Sequence, residues 1–262
     1  MPEGDTVWLA CRRLHEALAG AEVRTSDFRV PQLANADLTG RQVREVVPRG
    51  KHQLFRFDDG HTLHTHLRME GAWHLYRPGS PRRGGPDWQV RVVLGTARWQ
   101  AVGYRLPVVE LLPTAEEHRA VGHLGPDLLG PGWDLAEALA RLGRDPGRAV
   151  GEALLDQRNL AGIGTLYRAE SLFLAGVHPR RPVGDVADLA GLVERARRLL
   201  TANRERPGQT TTGDTRRGHQ HYVFERARQP CRRCGTAVAE ESFGPPGRER
   251  NSYWCPSCQA PP

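Results

Sequence analysis

Four cysteines near the C-terminal end constrain this chain more than any other feature of its sequence. They are spaced Cys231-x2-Cys234-x20-Cys255-x2-Cys258. Two such knuckles, about twenty residues apart, can bring four thiolates to the corners of a tetrahedron around one Zn²⁺. In a reducing compartment that arrangement outranks two disulfides. A four-thiolate site has no open coordination position, so the expected cofactor is one structural Zn²⁺ that takes no part in chemistry. The fifth cysteine, Cys11, shares a helical face with Val7, Leu14 and Leu18 and reads as a buried core thiol.

Charge collects around the same module. Residues 216 to 258 hold eight arginines against four glutamates, more than half of the net +7 carried by all 262 residues. With a pI near 9.6, the chain invites a polyanionic partner, and a zinc-stapled, arginine-rich hairpin is suited to gripping a DNA or RNA backbone. Zinc ribbons also join proteins, and a basic surface can simply be solvated. The mean hydropathy of −0.55 and the lack of any apolar run near ~18–20 residues argue against a membrane span. The N-terminal residues lack the basic-then-apolar layout of a signal peptide, so the expected location is cytoplasmic and nucleoid-associated. Of the 37 basic residues only Lys51 is lysine, which marks it as a position wanting a compact amine rather than a guanidinium fork.

The pattern along the chain changes twice. A helix is expected over residues 5 to 19 with Asp5 as its N-cap, followed to about residue 130 by short alternating runs such as Gln53 to Phe57 and Gln89 to Leu94. Turn signals such as Asp58-Asp59-Gly60 separate them, so this part reads as a β-sandwich or barrel. Residues 125 to 132 read as a linker. Helical periodicity then takes over, with Leu135, Ala138, Leu139 and Leu142 on one face and Leu189, Leu192, Val193, Ala196, Leu199 and Leu200 on another. Between these helices, Gly151 to Asn159 and Thr165 to Ala175 predict two more, joined by the glycine-bearing turn Leu160 to Gly164. The turn offers either a phosphate seat at a helix N-terminus or an ordinary helical hairpin. The expected fold class is thus α+β and multidomain: a β-domain with a leading helix over 1–130, a helical domain over 131–215 and a four-cysteine hairpin over 216–262.

The extreme N-terminus carries possible chemistry. Removal of Met1 would leave Pro2 as a terminal secondary amine, nucleophilic in its neutral form and able to form an iminium ion directly with a sugar C1′. Glu3 beside it could move protons. Many chains begin Met-Pro-Glu without such a role.

Met1 to Thr6, Arg49-Gly-Lys-His52, His66-Leu-Arg-Met-Glu-Gly71, Leu124-Gly-Pro-Asp127, Leu154-Leu-Asp-Gln157 with Ala161-Gly-Ile-Gly164, and the closing cysteines stand in one order. In this the chain resembles the formamidopyrimidine-DNA glycosylase/endonuclease VIII family over nearly its whole length, most of all the actinobacterial endonuclease VIII type. The resemblance implies an N-terminal β-sandwich, a helix-two-turns-helix domain and a zinc finger. It also implies a monomeric bifunctional glycosylase and abasic-site lyase acting on damaged double-stranded DNA. By the same resemblance Pro2 is the Schiff-base nucleophile, Glu3 the proton donor to the sugar, and Lys51 and His66 phosphate contacts. Met69 is the wedge at the vacated stack, Arg105 a loosely aligned void-filling partner, and Arg250 the finger clamp. Gly162, Gly164 and Thr165 bind phosphate, and Glu170 is a secondary carboxylate near the active site. For three of these the plain readings are a metal pair of His64 with His66, a core Met69 and a solvated Glu170.

The chain departs from the family pattern at Thr165, where Asn is common, at Phe224, where formamidopyrimidine enzymes carry a phosphate-binding Tyr, and at Thr6, where Glu is frequent. The segment from Thr210 to Val223 is short, which favours oxidised pyrimidines over 8-oxoguanine, whereas His66 to Gly71 is nearer the purine-specific branch. The rival readings are a glycosylase specific for 8-oxoguanine or formamidopyrimidine, and a non-enzymatic zinc-finger DNA-binding protein on a glycosylase scaffold.

Overall fold

The computed structural model describes residues 2–244, 247 and 249–262 and divides into two compact units. The first comprises Pro2 with Thr6–His123, the second Glu3–Asp5 with Leu124–Pro262.

The helix α1 (Gly4–Leu18), which belongs to the first unit from Thr6 onward, starts one residue before the expected N-cap. Its apolar stripe, Val7, Cys11, Leu14 and Leu18, is buried as its spacing requires, and burial pushes the Cys11 thiol far above its ordinary range. Strands β1 (Thr25–Phe28), β2 (Val43–Arg49), β3 (His52–Phe57), β4 (His61–His66), β5 (Ala72–Tyr76), β6 (Val90–Gly95), β7 (Gln100–Tyr104) and β8 (Val108–Pro113) form two antiparallel sheets. Their orders are β1-β6-β7-β5 and β2-β3-β4-β8. Phe55, Leu63 and Val109 of one sheet share a core with Val92, Leu94 and Ala101 of the other, so the expected sandwich is present. Because side chains alternate along a strand, the opposite face of β3 and β4 carries His52, Arg56, Thr62 and His64. Glu117, just before the short helix α2 (His118–Val121), covers part of that face by bonding Arg56 twice at 2.7 Å and Thr62 at 2.6 Å.

The second unit packs α3 (Leu135–Leu142), α4 (Val150–Leu155), α5 (Thr165–Ala175) and α6 (Leu189–Asn203) around one core that also takes in Cys231, Tyr253 and Cys255. Asp134 and Asp188 cap α3 and α6 through the N–H groups of Glu137 and Gly191. Every residue from Thr165 to Phe173 is buried, so α5 runs through the middle of the unit and its polar side chains must find partners inside. Strands β9 (Ala239–Phe243) and β10 (Arg250–Trp254) pair as the C-terminal hairpin.

Within the expected linker 125–132, residues 125–128 do not behave as one. They are buried, and Leu128 N–H donates to Ala161 O while Ala161 N–H donates to Pro126 O, so the glycine and proline there serve close packing rather than flexibility. Gly125 has no room for a Cβ, which would lie 2.5 Å from Asn159 O.

Candidate active site and nucleic-acid interface

The turn before α5 does not offer an open anion seat. Its amides are directed at Glu3: Gly164 and Leu166 donate N–H bonds to the carboxylate at 2.8 Å each, and Tyr167 adds one at 3.4 Å. Free N–H groups and the positive end of the helix dipole favour an anion there, and the chain supplies its own. Glu3 is fully buried as a result. Gly162, at φ +100°, turns the chain so that its carbonyl accepts Gly4 N–H at 2.8 Å, while its own N–H goes to Gln157 Oε1 at 3.0 Å. Gly162 and Gly164 thus spend their amides on the turn and on Glu3, and Thr165 is buried at the helix start.

Asp5 is not an N-cap either. It lies inside the first turn of α1, and its carboxylate accepts the Tyr167 hydroxyl at 2.6 Å and Gln209 Nε2 at 3.0 Å. Two acidic residues at the start of the chain are therefore bound to α5. Pro2, half-buried, directly precedes them. Met1, whose removal the proline chemistry needs, lies outside the described residues.

Two other buried groups of α5 order the rest of the unit. Glu170 is fully buried and accepts backbone N–H bonds from Tyr222 at 2.9 Å and from Val223 and Phe224 at 2.8 Å each, with the Thr211 hydroxyl as a further donor. It is a structural anchor for the 211–224 segment and not a solvated helix residue. Phe224 is buried, edge-on to His221 and Tyr253. Arg168 reaches Asn251 O at 2.6 Å, beside the exposed Arg250. Burial pushes the Arg168 guanidinium down to about 10, and the nearby Glu3 carboxylate works against that shift. A helix buried from Thr165 to Phe173 yet carrying Arg and Glu is the signal from which these roles could have been read, but periodicity alone does not reveal burial on all sides.

The four predicted cysteines converge. Their Sγ atoms all lie within 4.8 Å of one another, and they are the one set of at least three potential ligands found among the described residues. Cys231–Cys258 and Cys234–Cys255 are 4.0 and 3.4 Å apart, close to the ~3.8 Å edge of a tetrahedron with Zn–S bonds of ~2.3 Å. Backbone N–H groups of Arg233 and Cys258 point at the Cys231 and Cys255 sulfurs.

In the first unit Lys51 occupies the tight turn Gly50-Lys51 between paired residues Arg49 and His52, rather than a strand, and Gly50 adopts φ +59° there. His66 closes β4. Its Nδ1 accepts the Arg68 N–H at 2.9 Å, which leaves Nε2 carrying the proton and available as a donor. Burial, then the charges of Arg68 and Lys51, push His66 down to about 4. His64 does not join His66 as a metal pair. Its nitrogens face His52 Nδ1 at 2.7 Å and Glu110 at 2.9 Å. The sequence reading missed this His52–His64–Glu110 chain because it links three strands. Met69 is 65% exposed at the tip of a turn, so it is no core residue. Arg105 sits nearby in the chain fold at φ +48°, bonding Glu70 O and Gln89 Oε1, and the next residue, Leu106, is buried in the core.

The sequence matches three family models in succession: the formamidopyrimidine-DNA glycosylase N-terminal domain over residues 1–105, its H2TH domain over 124–213, and the zinc finger found in FPG and IleRS over 228–261. A probable endonuclease 8 2 of Streptomyces coelicolor is 60% identical across all of this chain and 95% of that protein. The chain belongs to the formamidopyrimidine-DNA glycosylase/endonuclease VIII family. Within that family, the DNA-(apurinic or apyrimidinic site) lyase Nei2 of Mycolicibacterium smegmatis is 45% identical over 99% of both chains. The family fold extends to a Lactococcus lactis formamidopyrimidine-DNA glycosylase solved with DNA containing an abasic site, at TM-score 0.82 and 22% identity over 99% of this chain and 100% of that one. Membership in the family places a zinc finger on the four converging cysteines.

Proposed function

We propose that this chain is a bifunctional DNA glycosylase and abasic-site lyase of base excision repair, using Pro2 as nucleophile and preferring oxidised pyrimidines. The observation that carries the reading is the burial of Glu3 on the α5 amides, which fixes the residue bonded to Pro2. A catalytic group held by preformed donors needs little reorganisation as charge develops.

The neutral Pro2 amine attacks C1′ and the damaged base leaves with a proton from solvent; the proton released by the amine passes through Glu3 to O4′ as the C1′–O4′ bond opens, leaving an iminium ion that joins enzyme and sugar. Glu3 exchanges protons with the sugar. Loss of a C2′ proton then expels the 3′ phosphate, a second elimination expels the 5′ phosphate, and hydrolysis frees the enzyme. Lys51, the Nε2–H of His66, and Arg250 contact phosphates, Met69 fills the vacated stack, and Arg105 supports it. Thr165 meets the backbone with its hydroxyl in place of the commoner amide. One Zn²⁺ on Cys231, Cys234, Cys255 and Cys258 holds the hairpin that presents Arg250; it supplies folding energy alone. The protein acts as a monomer on duplex DNA in the nucleoid, through three modules spanning 1–130, 131–215 and 216–262. For the lesion, a cavity of about 340 Å³ is bordered by Gln220 and His221 of the short segment pinned by Glu170. Its amide and imidazole groups suit the carbonyl-rich edge of a damaged pyrimidine.

The test is borohydride added during turnover. Outside the N-terminus the sequence holds one amine, Lys51, so the trapped DNA has two possible attachment sites. Attachment to the N-terminal peptide supports the reading; attachment to Lys51, or trapping that survives an acetylated N-terminus, replaces it with a lysine mechanism. No trapping on any damaged duplex favours the non-enzymatic binder.

A further inference from the structure

Two large apolar side chains stand exposed among the described residues, Met69 and Trp88, the latter 73% accessible. The other five tryptophans are at least partly buried. An indole left in water forgoes about as much stabilisation as any side chain can give, and one on a turn joined to that of a second exposed apolar side chain points to a partner.

The backbone that displays it is tied down. Trp88 is the middle residue of a 3₁₀ turn, Asp87–Gln89, entered from Pro86. Arg91 donates to Trp88 O at 2.9 Å, and Arg29 reaches the Asp87 carboxylate at 2.6 Å. Arg105 ties this turn to the Met69 turn. Its N–H donates to Gln89 O at 2.8 Å, its Nη1 to Gln89 Oε1 at 2.6 Å and its Nε to Glu70 O at 3.1 Å. One arginine in a left-handed conformation thereby sets the spacing between the two turns that carry the exposed apolar side chains. Between them lies a cavity of about 340 Å³ bordered by Glu70, Trp88, Arg91 and Arg105.

We infer that Trp88 stacks on the base left unpaired opposite the everted nucleotide, with Arg105 holding Met69 and Trp88 at a fixed separation. This rests on the glycosylase reading, which puts Met69 in the vacated stack. The occupant follows from chemistry: an indole face among arginines fits a flat aromatic ring attached to a polyanion, and stacking accepts any of the four bases. A base orphaned by eversion is the ring nearest to a side chain that fills the gap, and one left without its pair gains most from a new platform.

The experiment measures affinity and single-turnover excision on two duplexes carrying thymine glycol, one with adenine opposite and one with a tetrahydrofuran residue that has no base there. Trp88→Ala should weaken binding to the first by about 5-fold or more, the equivalent of one lost base stack, and change the second by less than about 2-fold. Trp88→Tyr should restore most of the loss. An equal effect on both duplexes, no effect on either, or no rescue by tyrosine overturns the inference. If the unaltered protein neither excises nor becomes trapped on either duplex, the glycosylase reading itself fails, and the inference falls with it.

Discussion

Gly164 and Glu3 are fitted to one another: the Gly164 N–H lies 2.8 Å from Glu3 Oε2, and a Cβ on residue 164 would stand 2.5 Å from Glu3 Cδ. The glycine is required by the carboxylate it faces. Its φ of −132° would suit any residue.

Gly164→Ala should therefore displace Glu3 without touching Pro2. Base excision is expected to fall by about 10²-fold or more, the usual scale for losing a positioned acid–base group, with a smaller loss of strand cleavage at a preformed abasic site. Single-turnover rates on the two substrates give the comparison. Unchanged excision would show that Glu3 tolerates displacement and is not the proton-transfer group.

The substrate order should run from oxidised pyrimidines and abasic sites to 8-oxoguanine. The segment that would enclose a flipped purine is short and tied to itself, with Thr210 Oγ1 on Asp214 O at 2.8 Å and Thr212 Oγ1 on His219 O at 2.7 Å. Excision from matched duplexes containing thymine glycol, 5-hydroxyuracil or 8-oxoguanine decides the order. Fastest removal of 8-oxoguanine would place the enzyme with the purine-specific branch.

Acid should destabilise the first unit. Burial and then neighbouring positive groups push His52 down to about 3 and His66 to about 4, against 6.5 in the unfolded chain. Their neighbours are His64, His123, Arg68 and Lys51, with Glu110 bonded to His64. The unfolded state then binds protons more readily, so the stability these groups contribute is complete above pH 6.5 and is lost as pH falls toward 4. After allowance for partial solvent screening, about 1 kcal/mol per histidine should vanish between pH 7.5 and pH 5. Thermal melts should show a shallower pH dependence for His66→Gln than for the parent chain. Parallel curves would remove His66 from the account.

Zinc removal should unfold the hairpin and weaken DNA binding together, because a module this small folds only as it binds metal. Cys255→Ala should bring metal content toward zero. In the intact protein, Arg250→Ala should lower the slope of log affinity against log salt by about one, the signature of one lost phosphate contact. Retained hairpin structure and binding after chelation would disprove the structural role of the metal.

Much of this site could be read locally. The cysteine spacing gave the metal cluster, and α5 begins after Gly164 and ends at Gly176, φ +69°, where turn chemistry demands. What stayed hidden depends on residues far apart in sequence. Glu3 and Gly164 are 161 positions apart, so nothing near either foretold that the helix terminus was already satisfied. Asp5 looked like a cap because caps are judged from their immediate neighbours, whereas its partners are Tyr167 and Gln209. Residues 125–128 of the expected linker have a linker's composition but are buried. Glu170 was recognised by resemblance, and its bonds to Tyr222, Val223 and Phe224 give that position a physical reason.

Since Glu3–Asp5 are counted with the second unit although more than a hundred residues of the first intervene, the polypeptide cannot be dissected by a single cut. A fragment begun at Leu124 would leave the amides of Gly164 and Leu166 without their carboxylate and the Tyr167 hydroxyl without Asp5. Recombination that exchanged the sandwich for one from another gene would have to carry a compatible opening tripeptide with it. The two halves are thus bound to a shared inheritance by three residues at the very start of the chain.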